Sequence, residues 1–412
     1  MMRRHGLFFL SCLLGFTAGH MFNYTVILYL QEAVGSDLLS GLGFGLAFGS
    51  SIVFGWFAGV VCDRVPPHRV IHAAQALFLA GLACLWWAQG GATDQTRVAW
   101  VLGGAFLGGV AWSFVGPARL TTLAQLARPE ELRPATIIFN LQVLVGFGLA
   151  PLLIGLVRSR AGWGAVIALA AAGFVLSSVL IANLRTRSHA VPSGNSVLAD
   201  IGAGFRVVGA DPLLTQLMLA AVLGYAMTGP LQILLPKLAR EVLHLSELQR
   251  GAYLGLLALS LIVGGITALA LSRRVRHGWV MFGGIVGGCL VFASLSQIGS
   301  AALSATGLAC VGLAGGMVIS LVVSGIQVQA PIAMRGRVMS MYSITSQVVP
   351  ALSGVAAGCA GQCRGRGAGH CLVGSGLGRD RGTGGLAHGA AAGLHRAGIA
   401  ITSPSPRYER QH

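Results

Sequence analysis

The feature that most limits how this chain can fold is the spacing of its charges. Long apolar runs follow one another with few ionisable residues inside them, near 6–30, 38–62, 69–90, 97–122, 134–157, 162–184, 213–236, 249–272, 278–298, 301–324 and 337–360. A helix crosses a bilayer with about 20 mostly apolar residues, so these are eleven candidate spans. Charged residues make up 10% of the 412 positions, against roughly 25% in a soluble domain. A water-soluble fold could not hide that much apolar surface. The sequence therefore reads as an all-α polytopic membrane protein. The glycines inside the runs, as in "GLGFGLAFGS" and "GGAFLGGV", read as packing faces, since small residues let membrane helices approach closely.

The breaks between runs carry the organisation. The largest, 185–212, holds Pro, Gly, Ser and charge and separates six spans (1–184) from five (213–360). It reads as a linker on the cytoplasmic side, with 197–210 a helix lying on the membrane surface. With the N-terminus inside, fourteen Arg fall in inside loops and six Arg or Lys in outside loops, which predicts a cytoplasmic N-terminus. The first run resembles a signal peptide but continues to Leu30, so it is read as a retained span. The net charge of +16 does not indicate nucleic acid, because the Arg residues lie between apolar runs and form no continuous face. The cysteines show no disulfide framework or metal spacing. No cofactor motif is present, and the chain is read as a monomer whose partners are a small-molecule substrate and membrane lipid.

After 360 the texture changes. The segment 361–412 is a quarter Gly and carries seven Arg. Its most apolar window, 386–402, contains His388, His395 and Arg396. A central Arg costs roughly 2.5–3.5 kcal/mol on the insertion scale, and no run of Leu, Ile or Phe offsets it. The expectation is that this window does not span and that the second half lacks an apolar twelfth helix. A reading-frame shift near 360 would produce this texture; a genuine flexible or RNA-binding tail is the alternative.

Three stretches carry a family resemblance. "GVVCDRVPPHRV" between the second and third runs places Gly59, Asp63, Arg64 and Arg69 in a pattern close to G-x-x-x-D-R-x-x-x-R. "GFGLAPLLIG" places Gly146, Pro151 and Gly155 in the fifth run, with Ala150 and Ile154 at positions where related sequences carry glycine. "MRGRVMSMYSITSQVVPALSGVAAG" opens the eleventh run with Arg335 and Arg337. Together these resemble the major facilitator superfamily over roughly 10–360, and within it the branch of enterobactin exporters and macrolide-efflux-type proteins. The resemblance implies two six-helix bundles that rock about a midplane site. It implies that Asp63, with Gly59, Arg64 and Arg69, forms a latch against the start of the eleventh span and Arg335 and Arg337. It also implies that Gly146, Pro151 and Gly155 form an antiporter-type motif. The second-half counterpart of the loop, "LALSRRVRHG", has Ser272 where the acid would stand.

Ionisable residues within spans are functional candidates by default. His20, Asn23 and Tyr24 share a face of the first span at spacings of three and four, and His20 can carry a proton; a histidine satisfied by a neighbouring helix is the other reading. Glu32 and Asp37 end the first span and are expected in the headgroup zone rather than in a proton path. Arg119, late in the fourth span, either binds an anionic group or snorkels to the surface, with snorkelling expected. No acid sits at a span centre, so any proton coupling falls to His20, Asp63 or an edge acid such as Glu32. The function read from all this is a secondary transporter exporting a small amphipathic compound across a bacterial inner membrane, proton-coupled and not enzymatic. Lipid or lysophospholipid movement, a membrane-embedded enzyme and the inactive product of a disrupted gene stay open as alternatives.

Overall fold

The computed structural model describes residues 2–90, 93–186, 197–271, 277–331 and 334–366; the side chains of some helical residues, Asp63 among them, and the window 386–402 lie outside that description. The described residues form thirteen α-helices and no strand. They are α1 (Met2–Glu32), α2 (Asp37–Gly49), α3 (Ser51–Arg64), α4 (Pro67–Gln89), α5 (Asp94–Leu126), α6 (Pro129–Leu180) and α7 (Val197–Ala210). They continue as α8 (Pro212–Ala226), α9 (Thr228–Glu241), α10 (Glu247–Leu271), α11 (His277–Ser294), α12 (Ala301–Gln329) and α13 (Arg335–Arg366). Without water, a backbone inside lipid must satisfy its own hydrogen bonds, and a helix does this within one segment.

Among the described residues, ten helical stretches are long and apolar enough to cross a membrane. One of them, Glu130–Leu180, has 51 residues and folds back at Gly162, whose φ of 72° and ψ of −169° only glycine adopts readily. It is two spans, which makes eleven. The second and seventh spans are each built from two helices, α2 with α3 and α8 with α9. Serines 50 and 51 mark the first of these joints, with both hydroxyls turned back onto carbonyls of α2. Gly162 has open space around its Cα, so a side chain there would be strained without being crowded. Gly162→Ala is expected to cost about 1–3 kcal/mol and to lower the thermal midpoint in detergent by a few degrees.

Odd-numbered spans run away from the N-terminal side of the membrane, and even-numbered spans return to it. In the first six spans, α6 covers both α1 and α4. Ser177 on the returning leg of α6 bonds Ser11 on α1 and Gln75 on α4. The later spans show the corresponding positions uncovered. The best window of α4 is 44% buried, and that of α11, its counterpart, is 11% buried. For α1 the figure is 61%, and for α8 with α9 it is 33%. By contrast, α5 and its counterpart α12 are similar, at 44% and 39%. Among the described residues, the deficit falls on the two helices that a twelfth span would cover.

Helix α7 packs on α8 and α13, with Gly204 against the Met341 side chain and Phe205 exposed. Asp211 caps α8 by accepting from the Leu213 and Leu214 amides, and Gln329 at the end of α12 donates to its other oxygen at 2.6 Å. The Gln329 bond and the two amides hold the Asp211 carboxyl below its ordinary value. A depressed folded-state value means that this cap stabilises above the unfolded carboxylate range, about pH 4, and is lost as pH falls through the folded value.

Candidate functional site

The first six spans meet the later five along a seam that is tightest on the side away from the N-terminus. Glu32 ends α1 there. Its carboxylate pairs with Arg158 of its own half, and with Arg250 at 2.9 Å and Arg240 at 3.8 Å from the other half. Glu247 on α10 reaches back across the seam to Arg158 at 3.4 Å. Asp37, at the start of α2, pairs with Lys237 on α9. The Arg158 guanidinium lies 4.1 Å from the centre of the Trp163 ring. The Glu32, Arg158 and Arg250 side chains are only 12%, 17% and 18% exposed, so salt screens these pairs less than a surface pair.

Backbones touch beneath this cluster. A Cβ on Gly155 of α6 would stand 2.5 Å from the Glu247 carbonyl oxygen, and one on Gly251 of α10 would stand 2.5 Å from the Pro151 carbonyl oxygen. On the other flank, a Cβ on Gly41 of α2 would meet the Gly354 carbonyl oxygen of α13 at 2.8 Å. Gln31 donates its amide to the Ile233 carbonyl at 2.7 Å, again across the seam. Between Glu32, Pro151, Gly155, Arg158, Arg250 and Gly251 only a crevice of about 20 Å³ is left, room for one water molecule. The far side is sealed.

This adds to one expectation and corrects another. Glu32 and Asp37, at the ends of their spans, hold the halves together through ion pairs across the seam. Arg119 does not snorkel: it is 1% exposed, inside the first bundle. Its Nη2 donates to Ser177 Oγ at 3.0 Å, and its guanidinium lies 5.2 Å from the Phe16 ring centre. Gly15 leaves room for it, since a Cβ there would sit 2.3 Å from Nη2.

The other sequence candidates fall into three places. His20 lies between the rings of Trp112 and Phe147, 5.1 and 5.3 Å away. Asn23 accepts from Trp112 Nε1 at 3.2 Å, and the buried Tyr24 rests on Phe147. Gly146 presses on α1 at Phe16 and Thr17, while Pro151 and Gly155 join the sealed seam. On the N-terminal side α3 touches α13. Arg64, Arg69 and Arg335 are exposed and Arg337 is partly buried, its Nη1 3.3 Å from Met334 Sδ. The surroundings of Gly59 and Asp63 lie outside the described residues.

Sequence reasoning missed Arg158, Lys237, Arg240, Glu247 and Arg250 as site residues. Four of these are among the six basic residues counted on the outer side for orientation. A signal was available. Two acids, Glu32 and Asp37, end spans of the first half on the same side as Lys237, Arg240 and Arg250 of the second, an opposition of charge that topology alone does not require.

Two helical bundles, joined along a seam that is closed at one side by ion pairs, define a membrane carrier. The chain belongs to the Major Facilitator Superfamily, whose family model matches residues 7–354. Among its relatives is the enterobactin exporter EntS of Escherichia coli O1:K1, 26% identical over 340 residues that cover 81% of this chain and 80% of the exporter. The EntS protein of Shigella boydii serotype 4 is equally similar. In fold, the chain is similar to a bacterial homologue of the human lysosomal transporter Spinster, solved in an inward-facing, unoccupied conformation, with a TM-score of 0.69 and 16% identity over 89% of this chain and 85% of that one. The D-xylose–proton symporter gives a TM-score of 0.67 at 14% identity over 85% and 89%. The apolar helices and the bacterial exporter relatives make this a multi-pass inner-membrane protein.

Proposed function

We propose that this protein exports a small amphipathic compound from the cytoplasm by alternating access, driven by proton entry, with its N-terminus cytoplasmic. The observation that carries this reading is the Glu32 cluster. It joins the two halves across the seam on one side only of the membrane's midplane, and it is built from ion pairs that break when the halves rock apart. The excess of Arg in loops on the N-terminal side supports the orientation, and the enterobactin exporters among the relatives support the direction. In this frame the conformation described is closed to the outside. The test is accumulation of a panel of amphipathic compounds, siderophores and antibiotics included, in cells with and without the gene. Equal accumulation of every compound, with the protein present in the membrane, would remove the export reading.

The Asp63 latch belongs to the same proposal. Asp63 lies in the last turn of α3, where a carboxylate stands at the unfavourable end of its own helix dipole. The latch sets it against the N-terminus of α13, the opposite pole, which favours an anion. Such a contact is worth about 0.3–1 kcal/mol when exposed and up to about 2 when partly buried. That is too little to decide folding and enough to move a conformational equilibrium several-fold. Asp63→Asn is expected to leave expression unchanged, to impair export, and to raise labelling of cysteines placed on the cytoplasmic side of the seam. Normal export with unchanged labelling would reduce the loop to an orientation signal.

A further inference from the structure

Buried polar atoms without partners are rare in folded proteins, and each needs water or an ion to account for it. Among the described residues, those found here gather along one helix. His5 Nε2, His20 Nε2 and Asn23 Nδ2 belong to α1 itself. Gln142 Oε1 is unpartnered on a side chain whose amide donates to the Phe9 carbonyl of α1 at 2.9 Å. Arg119 Nε and Nη1 are unpartnered on a guanidinium packed against Cys12, Gly15 and Phe16. The remaining two, Glu247 Oε2 and Arg250 Nε, sit in the cluster around Glu32, at the end of α1. Asn23 and Arg119 are 2% and 1% exposed.

Residues 5, 9, 12, 16, 20 and 23 fall at helical spacings of three and four, so they form one stripe on α1. Successive levels are about 4.5–6 Å apart along the axis, roughly two hydrogen bonds end to end. A single bridging water spans a step of that length. The stripe begins at the N-terminal side and ends at Asn23. Beyond it, Ile27 and Leu30 are fully buried and Leu28 nearly so, and about 14 Å of helix separates Asn23 from Glu32. That stretch is an apolar plug.

We propose that this face of α1 holds a file of ordered water leading from the N-terminal side to mid-membrane, and that His20, at its inner end, carries the coupling proton. The second part rests on the proton-driven reading above. His20 takes a proton at Nε2 from hydronium in the file, leaving water, and returns it to water in the reverse step. In the conformation closed at Glu32, it exchanges with the N-terminal side. When the seam opens on the other side, the plug parts and His20 exchanges there. The charged group that faces this stripe from α5 is Arg119, one turn from His20. From α6 the stripe meets Gln142 and Phe147. From α2 and α9 the charges, Asp37 and Lys237, stand only at the far end. Among the described residues Arg119 is the charged group nearest the imidazole; His5 on the stripe itself, and His68, Arg69 and His72 of α4, which also packs on α1, stand toward the N-terminal side, so water delivers the proton.

Two measurements on the full chain in nanodiscs test this without knowledge of the substrate. X-ray hydroxyl-radical footprinting oxidises side chains next to ordered water. Phe16 should be modified several-fold faster than Phe44 and Phe174, rings of the same reactivity that are also buried but lie away from the stripe. Equal protection of all three would overturn the water file. Trp112 touches His20, and a protonated imidazole quenches a neighbouring indole. Wild-type emission should therefore show a pH-dependent component that disappears in both His20→Gln and Trp112→Phe. A component that persists in His20→Gln would remove His20 as the proton carrier. Neither result depends on the export panel, so a failed panel with positive footprinting and titration would reject the substrate reading and leave the water file standing.

Discussion

Glu32→Gln should open the side of the protein away from the N-terminus without unfolding it. One carboxylate answers three arginines there, and two of them, Arg240 and Arg250, belong to the opposite half. An uncharged amide would leave Arg158, Arg240 and Arg250 facing one another, balanced by Glu247 beside Arg158 and Arg250 and by Glu241 beside Arg240. Truncating one partner of a hydrogen-bonded, poorly solvated charge pair costs about 2–5 kcal/mol, much of it the penalty on the partners left behind. Since 1.4 kcal/mol is tenfold, the closed state should lose at least about tenfold in population. A cysteine placed at Leu28 or Leu254, which line the crevice, should react at least about tenfold faster with an impermeant maleimide added to that side. The elution profile in detergent should stay that of the native protein, because the pairs join two bundles that each have their own core. Glu32→Asp should recover part of the closure, and Glu32→Arg with Arg250→Glu more of it. Labelling that stays at the wild-type rate in Glu32→Gln would show that the glycine contacts alone hold the seam.

A second substitution should do the opposite, destroying the fold and not the gate. Helices α10 and α12 lie within one bundle and cross at Gly264 and Gly316. A Cβ on Gly316 would stand 2.0 Å from the Leu261 carbonyl oxygen, and one on Gly264 would stand 2.1 Å from the Leu313 carbonyl oxygen. Both obstacles are backbone and cannot swing aside as a side chain would. Overpacking a core costs typically 1–3 kcal/mol where side chains can yield; here two helices must separate along their length, so Gly316→Val should exceed that. In lipid no hydrophobic force draws helices together, and close packing is what holds them. Gly316→Val and Gly264→Val should therefore abolish the monodisperse peak in detergent. Gly103→Val and Gly287→Val, where a Cβ meets nothing within 4 Å, should leave it intact. A stable, monodisperse Gly316→Val protein would show that this crossing is looser than the geometry requires.

The contrast between Gly251 and Gly316 marks where sequence reading stops. Both are glycines inside apolar runs, and nothing local separates them. One presses on the other half and so governs conformation; the other presses within its own half and so governs folding. The resemblance at 146–155 singled out Gly146, Pro151 and Gly155, but only the packing shows that Gly146 faces α1 while Pro151 and Gly155 face α10. Arg119, late in its span, reads as a snorkelling group, yet the missing Cβ at Gly15 gives it a place inside the bundle.

The sequence by itself determined the spans, their breaks and the family. A bilayer obliges each crossing segment to satisfy its backbone locally, so length and apolarity alone are enough to mark it. The tertiary structure alone decided which charges meet. Glu32 and Arg250 are 218 residues apart, and each, taken singly, is an ordinary charge at the end of a span. Attraction between two such groups depends on their separation and on how much water is kept from them, and both are set by the crossing of helices whose contacts no local pattern records.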